Sequence, residues 1–303
     1  MLYIYIILWY LTLIMNPKEF DIQNKNITIN QNIYQCLKGD YICPVYDSIV
    51  YNYKKDVELG NIDNICKVIV SYKHSLNILE QVTEKNNKGF DNIKGSDKIP
   101  VVICHFGKTF TGMNFNLDSQ SKSCIYDENI ILRTNYTHII KKEYDTLMYN
   151  KKEDTVIYSN PVTIIRDTNY TFLEKKDVFK TGVITLCYDK NKDLVDKMLN
   201  VSDLMTFKNL IEASFQVAIC GDHHILIIPY FTNIPIEDQT LVFNLCIMKY
   251  GHKFKAIMIC IPSYEDKHIF HQFDKNIVKP HILTKEIDNK YKSNDFSKKI
   301  SKN

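Results

Sequence analysis

Glycine is scarce in this chain, with nine residues in 303, and proline is no commoner at eight. Glycine lets backbone N–H groups approach an anion, so few segments here can cradle a phosphate. Nine cysteines occur, at Cys36, Cys43, Cys66, Cys104, Cys124, Cys187, Cys220, Cys246 and Cys260, and no Cys-x-x-Cys pair is among them. An odd, scattered set with several members inside apolar runs fits reduced thiols in a cytoplasmic setting rather than a disulfide framework. No Gly-x-Ser-x-Gly elbow exists and no cysteine has a histidine at motif spacing, which leaves nucleophilic catalysis without a signature. An excess of one charge is also missing. Thirty-eight basic residues against 35 acidic give +3, which implies neither a nucleic-acid footprint nor an acidic tail.

No apolar run reaches membrane length. Leu2–Met15 is uncharged but shorter than the ~18–20 residues a spanning helix needs. It lacks a preceding Lys or Arg and a small-x-small cleavage site. It reads either as a buried strand or translation artefact, with Met15 as the true start, or as a membrane-associating segment. Asn-x-Ser/Thr sites begin at Asn26, Asn135, Asn169 and Asn200. A chain rich in Asn, Ile, Lys and Tyr, as an AT-rich coding sequence produces, makes such sites by chance.

What is present is an ordinary globular composition, 45% hydrophobic and 24% charged. Glu19–Gly60 has weak periodicity and reads as an irregular or partly helical lead-in. Cys66–Ser71 reads as a strand, and Ser75 caps a helix presenting Leu76, Leu79 and Val82. Pro100–Phe106 is a continuous apolar run of buried-strand type, followed by the loop Gly107–Gln120. Glu128–Tyr149 is helical in part. Val162–Ile165 and Val183–Cys187 are β-branched runs. Ser202 or Asp203 caps a helix whose Leu204, Phe207, Ile211, Phe215 and Ala218 share one stripe. His224–Ile228 is a strand, Pro235 opens a helix with Leu241, Leu245 and Met248 inward, and Ala256–Ile261 is a last strand. Strand, helix and strand with short links form a right-handed crossover. The expected fold is therefore α/β, a mostly parallel sheet with helices on both faces.

Ligands of such sheets sit beyond the carboxyl ends of the strands. The loops Gly107–Gln120 and Pro229–Asn233 occupy those positions. The first offers two glycines and the second none, so each also reads as a plain connection. Asp222-His223-His224 and His268-x-x-His271 lack further Cys or carboxylate at a metal spacing. No metal and no cofactor is expected.

The order of elements resembles the bacterial-type poly(ADP-ribose) glycohydrolase-like macrodomain family. The residues that carry the resemblance are Tyr158-Ser159, Val162, Ile164-Ile165-Arg166-Asp167 and Val183-Ile184-Thr185, with Asn191 beyond. Ile225–Ile228, then Asn233, Pro235 and Glu237, and finally Phe254 and Ile261-Pro262 continue it over about Cys66–Tyr264. The resemblance implies a macrodomain-like sheet and an ADP-ribose site. It places Gly112 and Asn114 in the glycine-rich loop, Gln120 in the Gln-Glu-Glu motif, and Tyr230, Phe231 and Asn233 in the second loop, with Tyr230 or Phe231 available to stack on a base. Ser121 and Lys122 stand where the family has its two glutamates, the second of which is implied to protonate the leaving oxygen. Neither is a tunable acid suited to that step. Asp118, Asp127 and Glu128 are nearby carboxylates at unmatched positions.

The expected protein is a lead-in over 1–60, a macrodomain-like unit over 61–275 and a polar, basic, disordered tail over 276–303. The expected function is that of a catalytically inactive member that still binds ADP-ribose, a related nucleotide or an ADP-ribosylated protein. The alternatives are an interaction module with a vestigial cleft, and an active hydrolase with a relocated carboxylate.

Overall fold

The computed structural model describes residues 28, 31–32, 34–39, 41, 48–55, 57, 65–83, 99–106, 124–136, 154–188, 198–232, 234–262 and 267–280. Seven strands form one sheet: β1 (Ile49–Asn52), β2 (Lys67–Ser71), β3 (Val101–Phe106), β4 (Thr155–Ile164), β5 (Phe179–Cys187), β6 (Ile225–Pro229) and β7 (Ala256–Cys260), in the order β1-β4-β5-β3-β6-β7-β2. Neighbours from β5 to β2 run parallel, while β1–β4 and β4–β5 are antiparallel. The sheet is thus mixed and mostly parallel, and the four apolar runs of β3, β5, β6 and β7 share it.

Among the described residues, the helices that cover the two faces include α1 (Ser75–Thr83), α2 (Cys124–Arg133), α3 (Val201–Cys220), α4 (Ile236–Tyr250) and α5 (Lys267–Asn276). The alternation of side chains along each strand assigns them. Val101 and Ile103 of β3 join Phe207 and Phe215 of α3 and Phe243 of α4 in one core. Val102 and Cys104, one residue on, join Leu76 and Leu79 of α1 and Ile130 of α2 in the other. Burying each such aliphatic or aromatic side chain contributes about 1.5–3 kcal/mol.

Three local readings change. Asn200 rather than Ser202 or Asp203 caps α3, its Oδ1 accepting from Asp203 N–H at 3.0 Å. His74 rather than Ser75 precedes α1, its carbonyl accepting from Ile78 N–H at 3.1 Å, and Ser75 is the first helical residue. The inner face of α4 is Val242, Phe243, Cys246, Ile247 and Tyr250, whereas Leu241, Leu245 and Met248 are 45%, 41% and 62% exposed. Apolar residues populate nearly the whole circumference of this helix, so spacing alone does not choose the buried side.

The lead-in also contributes to the sheet. β1 pairs with β4 from Ile49↔Tyr158 to Asn52↔Thr155, so the domain takes in residues before 60. Within β4 the register shifts between Ser159 and Val162, where Pro161 stands. A strand proline, which lacks a donor, is tolerated at such an irregularity.

Among the described residues, no helix is long and apolar enough to cross a membrane. Leu2–Met15 and the tail from Lys285 lie outside the described residues.

Candidate functional site

The segment that carries the family resemblance is built into the scaffold. Tyr158 donates its hydroxyl to His223 Nε2 at 2.7 Å, and His223 Nδ1–H donates to Ile99 O at 2.6 Å. Burial pushes the Tyr158 phenol up to about 12 and holds the His223 imidazole below its usual value. Ser159 exchanges a hydroxyl bond with Ser48 at 2.7 Å. Arg166 donates to Asn32 Oδ1 at 2.6 Å and Gln31 Oε1 at 3.1 Å, and its guanidinium lies 3.6 Å from the Phe172 ring centroid. Asp167 accepts from the N–H groups of Asn169 and Thr171, closing the turn that follows β4. Thr185, fully buried, bonds to Cys104 Sγ at 3.3 Å and to the Tyr136 hydroxyl. Each of these groups has a partner inside the fold, whereas Asn160 Oδ1 and Thr163 Oγ1 of the same segment are buried with no hydrogen bond.

The carboxyl ends of β3, β5 and β6 open on one rim because these strands are parallel. His105, near the end of β3, is buried, and its Nε2–H donates to Tyr188 O at 2.7 Å just past β5. The His105 ring meets Phe231 edge-on at 5.8 Å. Burial raises the Tyr188 phenol, and the carboxylates of Asp203 and Asp238 raise it further. Both carboxylates are enclosed, at 4% and 0% exposure. Asp203 Oδ2 accepts from Asn200 Nδ2 at 2.9 Å, and Asp238 Oδ2 accepts from Leu199 N–H at 2.7 Å. Each sits in the first turn of its helix, where the helix dipole favours negative charge. Asp238 thereby ties the chain leaving the β5 side to the start of α4.

The described residues of the loop after β6 are tied to β7 and α4. Tyr230 N–H donates to Cys260 O at 2.9 Å, and Phe231 N–H donates to Gln239 Oε1 at 3.0 Å. The Gln239 amide nitrogen donates back to Phe231 O at 2.8 Å and Ile234 O at 2.7 Å. The sequence offers Tyr230 and Phe231 as rings to stack on a base. In the structure both are buried, Tyr230 edge-on to Phe273 at 5.8 Å and Phe231 edge-on to Phe207 at 5.5 Å.

Gly112, Asn114, Gln120, Ser121, Lys122, Asp118, Asn191 and Asn233 lie outside the described residues, as do the side chains of Asp127 and Glu128 on α2. His268 and His271 share the exposed side of α5, and the described residues contain no group of three or more His, Cys, Asp or Glu that could hold a metal. Sequence reasoning passed over His105, Tyr188, Asp238 and Gln239. Only their three-dimensional partners distinguish them, since no local pattern marks a glutamine that bonds eight residues back.

No protein family matches this sequence, and no curated protein does either. Solved structures do. The structure of poly(ADP-ribose) glycohydrolase from Thermomonospora curvata matches over 84% of this chain and 100% of its own, with a TM-score of 0.60 at 11% identity. The same organism's glycohydrolase bound to the inhibitor ADP-HPD matches over 84% and 99%, with a TM-score of 0.61 at 12% identity. The Deinococcus radiodurans poly(ADP-ribose) glycohydrolase in complex with ADP-ribose matches over 71% and 84%, with a TM-score of 0.55 at 12% identity. The fold is that of a poly(ADP-ribose) glycohydrolase. Within this glycohydrolase fold, the chain combines a buried, largely hydrogen-bonded motif segment with a glycine-free loop after β6.

Proposed function

We propose that this chain is a degenerate poly(ADP-ribose) glycohydrolase-like macrodomain, catalytically silent, whose cleft at the carboxyl ends of β3, β5 and β6 binds ADP-ribose or a related nucleotide. The ligand class is supported by the likeness of fold to a glycohydrolase solved with ADP-ribose. The observation that carries the loss of catalysis is Ser121-Lys122 after Gln120, in place of a glutamate pair. A general acid needs a carboxyl of tunable pKa within hydrogen-bond reach of the leaving oxygen. Serine cannot supply it, and lysine adds positive charge beside an oxocarbenium-like centre. Asp203 and Asp238 are enclosed in the fold, with Asp203 Oδ2 bonded to Asn200 and Asp238 Oδ2 to Leu199, and neither stands at the position of the missing pair; Asp238 Oδ1 is buried with no partner. Calorimetry of the full chain with ADP-ribose tests the binding. Saturable heat supports the reading, and its absence removes it.

A second reading, an interaction module with a vestigial cleft, is favoured by the exposed stripe Leu241, Leu245 and Met248 on α4. A side chain of this kind contributes more when covered than in water. Absence of ADP-ribose binding would leave this reading standing. The third, an active hydrolase using Asp118, Asp127 or Glu128, is decided by assaying ADP-ribose release.

A further inference from the structure

In a loop that holds phosphate, successive backbone N–H groups point at the anion. In this chain β6 ends on Pro229, which has no N–H to give, and the next two N–H groups are spent on Cys260 O and Gln239 Oε1. Ile234 N–H turns back to Phe231 O at 3.1 Å. Gln239 is fully buried and makes three bonds with one carboxamide, to Phe231 N–H, Phe231 O and Ile234 O. The two carbonyls need a donor and the N–H needs an acceptor, so the orientation of the amide group is fixed by its partners. The Phe231 ring, packed against His105, Phe207 and Phe243, anchors the loop from below.

We propose that Gln239 is a specificity-determining residue of the cleft. Its carboxamide takes up the Phe231 N–H that would otherwise face a phosphate oxygen. The Tyr230 and Phe231 N–H groups are therefore not offered to a diphosphate, and the cleft reads the nucleoside part of its ligand. The nucleoside part of the inference rests on the function proposed above. The closure of the loop rests on the hydrogen bonds alone. A glutamate at 239 could accept from Phe231 N–H but could not donate to the two carbonyls, so the clamp requires glutamine.

The test is an amide-resolved titration of the full-length, isotope-labelled chain with inorganic phosphate, adenosine and ADP-ribose in turn. The expected result is that the Tyr230 and Phe231 amide signals do not move with phosphate and exchange slowly with solvent. ADP-ribose is expected to bind within about threefold of adenosine, since no extra phosphate contact is gained here. Gln239→Ala should speed exchange at Phe231 and raise the preference for ADP-ribose over adenosine about tenfold, the worth of one recovered charge-assisted bond. A Phe231 signal that moves with phosphate in the unaltered chain overturns the proposal, whether or not the variant folds. ADP-ribose binding more than about tenfold tighter than adenosine overturns it as well. If neither ligand binds, the nucleotide-cleft reading fails. The exchange rate at Phe231 then decides the closure, slow exchange upholding it and fast exchange refuting it.

Discussion

At the amino ends of β3 and β6, two of the chain's few glycines lie against the buried Tyr158–His223 pair. A Cβ at Gly182 would stand 2.8 Å from His223 Cε1, and one at Gly221 would stand 2.4 Å from the Tyr158 hydroxyl oxygen. At the carboxyl ends, where a phosphate-binding loop would use glycine, the chain has Pro229-Tyr230-Phe231, with both rings turned inward and the backbone clamped by Gln239. Glycine stands where it permits close packing against Tyr158 and His223, and the loop after β6 has none, whereas Gly107 and Gly112 follow β3 in the sequence. The fold matches a glycohydrolase structure at 11% identity, and buried ties such as Tyr158–His223 are paired within it.

That contrast predicts large stability effects in the scaffold and small ones at the rim. The largest is expected for Glu80→Ala, which strips the carboxylate from Arg133, a guanidinium only 1% exposed. Leaving a buried charge unpaired costs about 3–5 kcal/mol, and the denaturant midpoint measures it. Next comes Gly221→Ala, where the new methyl must displace the Tyr158–His223 pair. Overpacking of this kind costs about 1–3 kcal/mol, and a thermal melt that matches the parent's would break the amino-end half of the comparison. Smallest is Leu241→Ser on the exposed stripe of α4, expected within about ±0.5 kcal/mol in folding stability.

Acid sharpens the same comparison, because two buried groups respond in different windows. His223 has a folded pKa below the ordinary 6.5, chiefly through burial. The unfolded chain takes up that proton first, so the contribution is present above 6.5 and lost as pH falls through the folded value. Glu212, between α3 and α4, accepts from Lys208 at 2.7 Å, from the Tyr250 hydroxyl at 2.7 Å and from Lys249 at 2.5 Å. Burial alone would raise its pKa, but these three donors outweigh burial and lower it from 4.5 to about 2. Its contribution is present above 4.5 and lost between there and about 2. Stability measured against pH should fall in two stages, and His223→Gln should shrink the upper one, to which His74, also lowered chiefly by burial, contributes, while leaving the lower one unchanged.

Much of the scaffold was legible in the residues, for a physical reason. β3, β6 and β7, and β5 from Val183 on, are buried on both faces, so each reads as a short apolar run with no need of partners to identify it, while β2 at the sheet edge is only half-buried and was marked by its β-branched residues. The stripe of α3 was legible because its polar positions leave one apolar side. β1 was not, since Ile49–Asn52 is a four-residue edge strand with two exposed apolar residues and no clean alternation. The wrong face of α4 came from an abundance of apolar positions, among which the packing of α3 and α5 decides. At the rim, the departures from the family pattern were visible as residue types, above all the missing glycines and Ser121-Lys122. The clamp itself was not, because a buried glutamine declares its role only through partners brought close by the turn.

The chain keeps the glycohydrolase fold, and the proposed loss of hydrolysis is measured by release of ADP-ribose from poly(ADP-ribose) and from ADP-ribosylated protein. A positioned general acid contributes about 10²–10⁴-fold in rate. The prediction is no release above background from the unaltered chain. Ser121→Glu with Lys122→Glu is not expected to restore it while the loop after β6 stays closed. Robust release, abolished by Asp118→Ala, Asp127→Ala or Glu128→Ala, would contradict the claim and show that a neighbouring carboxylate has taken over the acid's role.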